Sequence, residues 1–123
     1  MIYGVDVLSF HDVLEICKTP NKAKLNKTAN EQILKSQKNV QKFVESDRCV
    51  YGINTGFGPL CDTKISADET ALLQYNLIIS HAVGVGKPID KELSKIMMIA
   101  KVHALSKGFS GVSLEVIERM ILM

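Results

Sequence analysis

The chain has 123 residues, enough for one compact domain with its own core and too few for two. Its 46% hydrophobic and 23% charged residues are those of a folded protein, and the net charge of +2 comes from basic residues interleaved with acids. With no basic stripe, no run near the roughly 18 apolar residues of a membrane span and no secretory leader, these features argue against nucleic-acid and membrane partners and for a cytoplasmic protein.

Cys17, Cys49 and Cys61 include no C-x-x-C pair and read as buried, reduced thiols. His11, His81 and His103 are too scattered to share a metal, so no metal site is expected.

Repeats and low-complexity tracts are absent, and five helical segments follow one another between glycine and proline punctuation. Ser9 caps the first, which should bury Phe10, Val13, Leu14 and Cys17 and stop near Thr19 and Pro20. Thr28 and Glu31 form a capping-box pair for the second, a surface helix through Ile33, Leu34, Val40, Phe43 and Val44. From Asp47 to Ser66 the helical period vanishes and a loop is expected. Ser66 and Glu69 open a third helix, expected to be largely buried because Leu72, Leu73, Leu77, Ile78 and Ile79 leave it few polar positions; it should end by Gly84.

Asp90 caps a fourth helix with Leu93, Ile96, Met97, Ala100 and Ala104 at helical spacing, closing at Lys107 and Gly108. The fifth starts at Ser113, and its apolar residues Val116, Ile117, Met120, Ile121, Leu122 and Met123 run to the chain end with no stop signal, as expected of an element cut by a boundary. The fold class is therefore all-α: a small domain of five helices with a glycine-rich loop.

That loop, Tyr51-Gly52-Ile53-Asn54-Thr55-Gly56-Phe57-Gly58, carries the most chemistry. Its glycines open backbone angles closed to other residues, so the segment can serve as a substrate lid or as a plain turn. It lacks the pattern of a phosphate-binding loop. Tyr51 is either a packed ring with a satisfied hydroxyl or a proton acceptor. A free phenol ionises near pH 10, so the second role requires neighbours that stabilise the phenolate. On the third helix Gln74 and His81 lie nearly on one face. His81 is either a hydrogen-bonded core histidine or a reader of substrate polar groups.

At these residues the sequence resembles a known family. Y-G-I-N-T-G-F-G at Tyr51 to Gly58 is similar to the signature loop of the histidine and aromatic ammonia-lyases. Leu73 to Gly86, L-Q-Y-N-L-I-I-S-H-A-V-G-V-G, resembles the helix that follows it there, and Lys101 to Val112, K-V-H-A-L-S-K-G-F-S-G-V, the next block. Matches run from about Asp47 to the end, and the earlier residues agree only in helix pattern and length. The resemblance implies the amino-terminal domain of a fumarase/aspartase-like ammonia-lyase. Residues 1–123 would be a single domain, with the central helical bundle and carboxy-terminal parts absent.

Ser80-His81 together with Asn54 is similar to the histidine-specific branch, which implies non-oxidative deamination of L-histidine to trans-urocanate and ammonia. Tyr51 matches the lid tyrosine that removes the β-carbon proton, His81 matches a histidine that positions substrate, and Asn54 is a weaker candidate for substrate contact. Gly52, Gly56, Phe57 and Gly58 complete the lid. The family's electrophile is a methylideneimidazolone made from an internal Ala-Ser-Gly. This chain has none: its one Ser-Gly, Ser110-Gly111, follows Phe109. No cofactor is expected in the chain itself, and alone it should be catalytically silent. The parent enzyme would be a homotetramer. His103 departs from the family pattern, standing where a small amide is expected. Alternatives are a tyrosine or phenylalanine ammonia-lyase or aminomutase, or a free-standing helical binding module.

Overall fold

Short-range capping chemistry sets where the helices begin. The structure, a computed structural model, describes residues 2–4, 7–18, 23–46, 48–58 and 65–123, apart from the side chains of residues 67, 68 and 70. Ser9 opens α1 (Phe10–Lys18) through a reciprocal pair: the Asp12 N–H donates to Ser9 Oγ at 3.2 Å, and the Ser9 N–H to Asp12 Oδ2 at 2.9 Å. The Ser9 hydroxyl and N–H together hold the Asp12 carboxyl below its ordinary range. Ser66 caps α3 (Ala67–His81), with the Glu69 N–H donating to Ser66 Oγ at 3.3 Å. Asp90 caps α4 (Lys91–Leu105), and Ser113 caps α5 (Leu114–Ile121). All four starts follow the sequence reading.

The start of α2 (Lys27–Glu45) does not. Its cap is Asn26, whose Oδ1 accepts from the Ala29 N–H at 2.6 Å, rather than Thr28 with Glu31. Asn26 holds a second position as well: its Nδ2 donates to the Gly4 carbonyl at 3.0 Å and its backbone N–H to the Tyr3 carbonyl at 2.9 Å. These bonds continue a two-strand parallel pair absent from the sequence reading, β1 (Ile2–Tyr3) with β2 (Lys24–Leu25), in register Ile2 to Lys24 and Tyr3 to Leu25. Two residues carry no readable alternation, so no periodicity announces such a strand.

Two compact units divide the chain within α2. One comprises Met1–Asn39 with Pro88–Met123, the other Val40–Lys87. The first holds the apolar core, in which Tyr3, Ile16, Ile33, Ile99, Val102 and Ile117 are buried and α4 packs against both α1 and α5. Burying each large aliphatic side chain there contributes about 1.5–3 kcal/mol. Gly108 closes the turn after α4 with φ +72°, and a Cβ at that position would stand 2.7 Å from the backbone carbonyl carbon of Gln32. Only glycine fits that approach to α2. Next to it, the Gly111 N–H donates to Ser36 Oγ at 3.0 Å.

Several burial expectations are corrected. Phe10 is exposed, and Ile16 occupies the core position on α1. On α4 the readable stripe of Leu93, Met97, Ala100 and Ala104 faces outward, while Ile99 and Val102 face the core. Nearly every turn of α4 is apolar, so spacing alone does not choose its face. α3, expected to be buried, has no buried residue among those described: Leu72, Tyr75, Ile78 and Ile79 are all more than half exposed. Among the described residues of that helix, Leu73 and Leu77 are half-buried and the rest are exposed. Cys49 is exposed rather than buried, Cys17 is half-buried, and Cys61 lies outside the described residues.

Candidate functional site

The residues singled out for chemistry all fall in the second unit, on the loop after α2 and on α3. The loop begins with a tight turn. The Ile53 N–H donates to the Val50 carbonyl at 3.0 Å, which places Tyr51 and Gly52 at the two central positions. Gly52 has φ +74°, the value the third residue of a type II turn requires. Tyr51 therefore sits at the tip of a turn whose geometry depends on the glycine after it.

The Tyr51 ring is 63% exposed, against 3% for Tyr3 in the core of the first unit. It meets Phe57 edge-to-face, with centroids 6.0 Å apart and planes at 71°. Apart from that ring contact, the Tyr51 side chain is exposed in this segment. Gly58 also has positive φ, at +58°. Gly56 is buried, and its carbonyl accepts from the Thr55 hydroxyl at 3.0 Å.

Asn54 points inward, 5% exposed. Its Oδ1 accepts from the Val50 N–H at 2.8 Å, and its Nδ2 donates to the Arg48 carbonyl at 2.8 Å and the Phe43 carbonyl at 3.3 Å. Its backbone carbonyl accepts from the Ile65 N–H at 3.1 Å. Its side-chain polar atoms are engaged by the loop's own backbone and by the last turn of α2.

His81 ends α3 and is exposed, which overturns the core-histidine reading. Its Nδ1 lies 2.8 Å from the Leu77 carbonyl, which can only accept, so the ring proton sits on Nδ1. The Ser80 hydroxyl donates to the same carbonyl at 2.9 Å and lies 3.1 Å from Nδ1. In the neutral ring this arrangement leaves Nε2 as an acceptor. The backbone partners of Asn54 were not legible as functional positions; the one available signal was an Asn four residues after Val50, a spacing suited to side-chain-to-backbone bonding.

Elsewhere the chain offers less. Two concavities of about 360 Å³ each belong to the first unit, one around Tyr3, Ile16 and Met98, the other around Gln32, Lys35 and Lys107, and neither includes Tyr51 or His81. Among the described residues no three His, Cys, Asp or Glu side chains group as a metal site, and no helix is long and apolar enough to cross a membrane.

The family model for aromatic amino acid lyases matches residues 8–123, and the chain belongs to that family. Curated relatives include the histidine ammonia-lyase of Alkaliphilus oremlandii, 40% identical over 100% of this chain and 24% of the relative. That of Shouchella clausii is 45% identical over 93% of this chain and 23% of the relative. Among solved structures, histidine ammonia-lyase from Trypanosoma cruzi superposes with a TM-score of 0.84 at 30% identity, over 98% of this chain and 23% of that one. The ergothionase of Treponema denticola, at TM-score 0.89 and 24% identity, shares the fold over 98% of this chain and 24% of its own. The chain thus spans less than a quarter of the length of the curated relatives it matches.

Proposed function

We propose that this segment is the amino-terminal domain, residues 1–123, of a histidine ammonia-lyase, supplying a proton acceptor and a substrate clasp for the conversion of L-histidine to trans-urocanate and ammonia. The observation that carries the reading is the pairing, within one unit, of an exposed Tyr51 on a glycine-dependent turn with an exposed His81 whose Nε2 is an acceptor. The identity with curated histidine ammonia-lyases over 93–100% of the chain supports it. In this reading the Tyr51 oxygen takes the proton from the substrate β carbon. His81 Nε2 accepts a hydrogen bond from the substrate imidazole N–H, a contact that the phenylalanine ring does not offer. Gly52, Gly56, Phe57 and Gly58 form the lid that carries Tyr51 over the bound amino acid.

The electrophile that the family supplies, a methylideneimidazolone, activates the substrate for loss of ammonia. The residues present here do not fit it: Ser110-Gly111 follows Phe109 instead of alanine, and Ser110 Oγ accepts from the Val112 N–H at 3.4 Å within its own turn. Its source is an Ala-Ser-Gly elsewhere in a longer polypeptide, and the 123-residue chain alone is silent. The lyase acts as a cytoplasmic homotetramer.

The test is an ammonia-release assay on the longer polypeptide that carries this segment, offered histidine, tyrosine and phenylalanine, with urocanate absorbance identifying the histidine product. Histidine is the expected preference, and a preference for tyrosine sinks the substrate assignment. Tyr51→Phe should lower turnover by roughly 10²–10⁴-fold, the range of general-base contributions. Turnover by the purified 123-residue chain with nothing added would remove the division of labour altogether.

A further inference from the structure

We propose that Asn54 is a positioning residue for the proton acceptor: its buried amide clamps the turn that carries Tyr51 and so sets the height and direction of the phenol. The inference rests on the lyase reading above and assigns Asn54 a role different from substrate contact.

The clamp grips the chain on both sides of the tyrosine. Before Tyr51, the Val50 N–H donates to Asn54 Oδ1, and the Arg48 carbonyl accepts from Nδ2. After it, the Asn54 backbone N–H donates to the Val50 carbonyl at 3.2 Å, closing the turn a second time. The bond from Nδ2 to the Phe43 carbonyl fastens the whole to the end of α2. Asn54 is 5% exposed and Tyr51 63% exposed, so the mount is buried while the ring, touching Phe57 at its edge, stays accessible.

An amide is the group this place requires, because the same planar head must accept on one side and donate on the other. Aspartate keeps the acceptor for Val50 but turns a carboxylate oxygen toward two carbonyl oxygens, and alanine supplies neither partner. A buried amide that satisfies three backbone groups also fixes where they stand. Proton abstraction is sensitive to such placement, since an error of about 1 Å at the acceptor can cost on the order of 10²-fold in rate.

The test uses the longer lyase that carries this segment, with Asn54→Asp, Asn54→Ala, Tyr51→Phe and the double variant, assayed on L-histidine and on L-histidine deuterated at the β carbon. Asn54→Ala should lower kcat by about 10–100-fold with KM nearly unchanged, and the β-deuterium isotope effect should grow as proton abstraction becomes slower. In the Tyr51→Phe background the same change should have little further effect, because the group it positions is gone. If Asn54→Ala gives no soluble enzyme, Asn54→Asp, which keeps the shape and the Val50 bond, carries the same expectations. Wild-type turnover in the Asn54 variants overturns the inference. So does a rise in KM at constant kcat, which marks substrate contact, or a rate loss with an unchanged isotope effect, which marks a loss of folded enzyme. Full turnover by Tyr51→Phe is a different failure: it removes the lyase role of Tyr51 and the inference with it.

Discussion

The two units bury opposite kinds of residue. In the first, the buried positions are mostly apolar and come from β1, α1, α2, α4 and α5. In the second, the buried side chains among the described residues are polar, Asn54 and Thr55, and α3 leaves its large apolar residues exposed. One unit is held by hydrophobic contact and the other by hydrogen bonds around a loop, and the candidate chemistry lies in the second. Loops held this way can be specific in shape and still give locally, which suits a lid.

That contrast can be broken most directly by truncating apolar side chains in each unit. Ile117→Ala, at a fully buried position, should cost about 2–5 kcal/mol in denaturant unfolding, whereas Leu72→Ala on α3, 60% exposed, should stay within about 0.5 kcal/mol. Equal losses would mean that α3 is covered after all. Next in size is Gly108→Ala, where the added Cβ meets the Gln32 backbone at 2.7 Å, and about 1–3 kcal/mol of overpacking cost should appear as a lower unfolding midpoint.

Gly52→Ala sharpens the comparison from the other side. There is open space around that position, so only its φ of +74° opposes a side chain. A local cost of about 1 kcal/mol is expected, with turnover of the longer lyase falling more than global stability does.

The smallest effect is a pH dependence in the first unit. Burial, with the Lys107 charge second, holds the His103 imidazole below its ordinary range, and its buried Nδ1 has no hydrogen-bond partner among the described residues. The folded state thus favours the neutral ring, and the unfolded chain binds the proton first. Stability is fully present above about pH 6.5 and is lost as pH falls from there toward the lowered folded value. Unfolding midpoints measured from pH 7.5 to 5 should slope less in His103→Asn.

Much of this was legible in the sequence where the controlling interaction is short-ranged. Ser9, Ser66, Asp90 and Ser113 each announce a helix through a partner two or three residues on. Asn26 was missed because half of what it does is long-ranged: its bonds to Tyr3 and Gly4 cross more than twenty positions of sequence. Helical spacing alone did not say which face of α4 is buried, and the packing of α1 and α5 decides it. In the candidate site, the exposed candidates Tyr51 and His81 can be named from the sequence, as can Gly52, whose positive φ shapes the Tyr51 turn. The inward turn of Asn54 was not readable, because an asparagine in a glycine-rich loop fits a clamp and a substrate contact equally well until its partners are known.

The pairing of Ile2–Tyr3 with Lys24–Leu25 has a practical side. Tyr3 is 3% exposed and lies two positions from the first methionine. Proteolytic loss of residues 1–4 would pull out a wall of the hydrophobic interior and strand Asn26 without its two carbonyl neighbours.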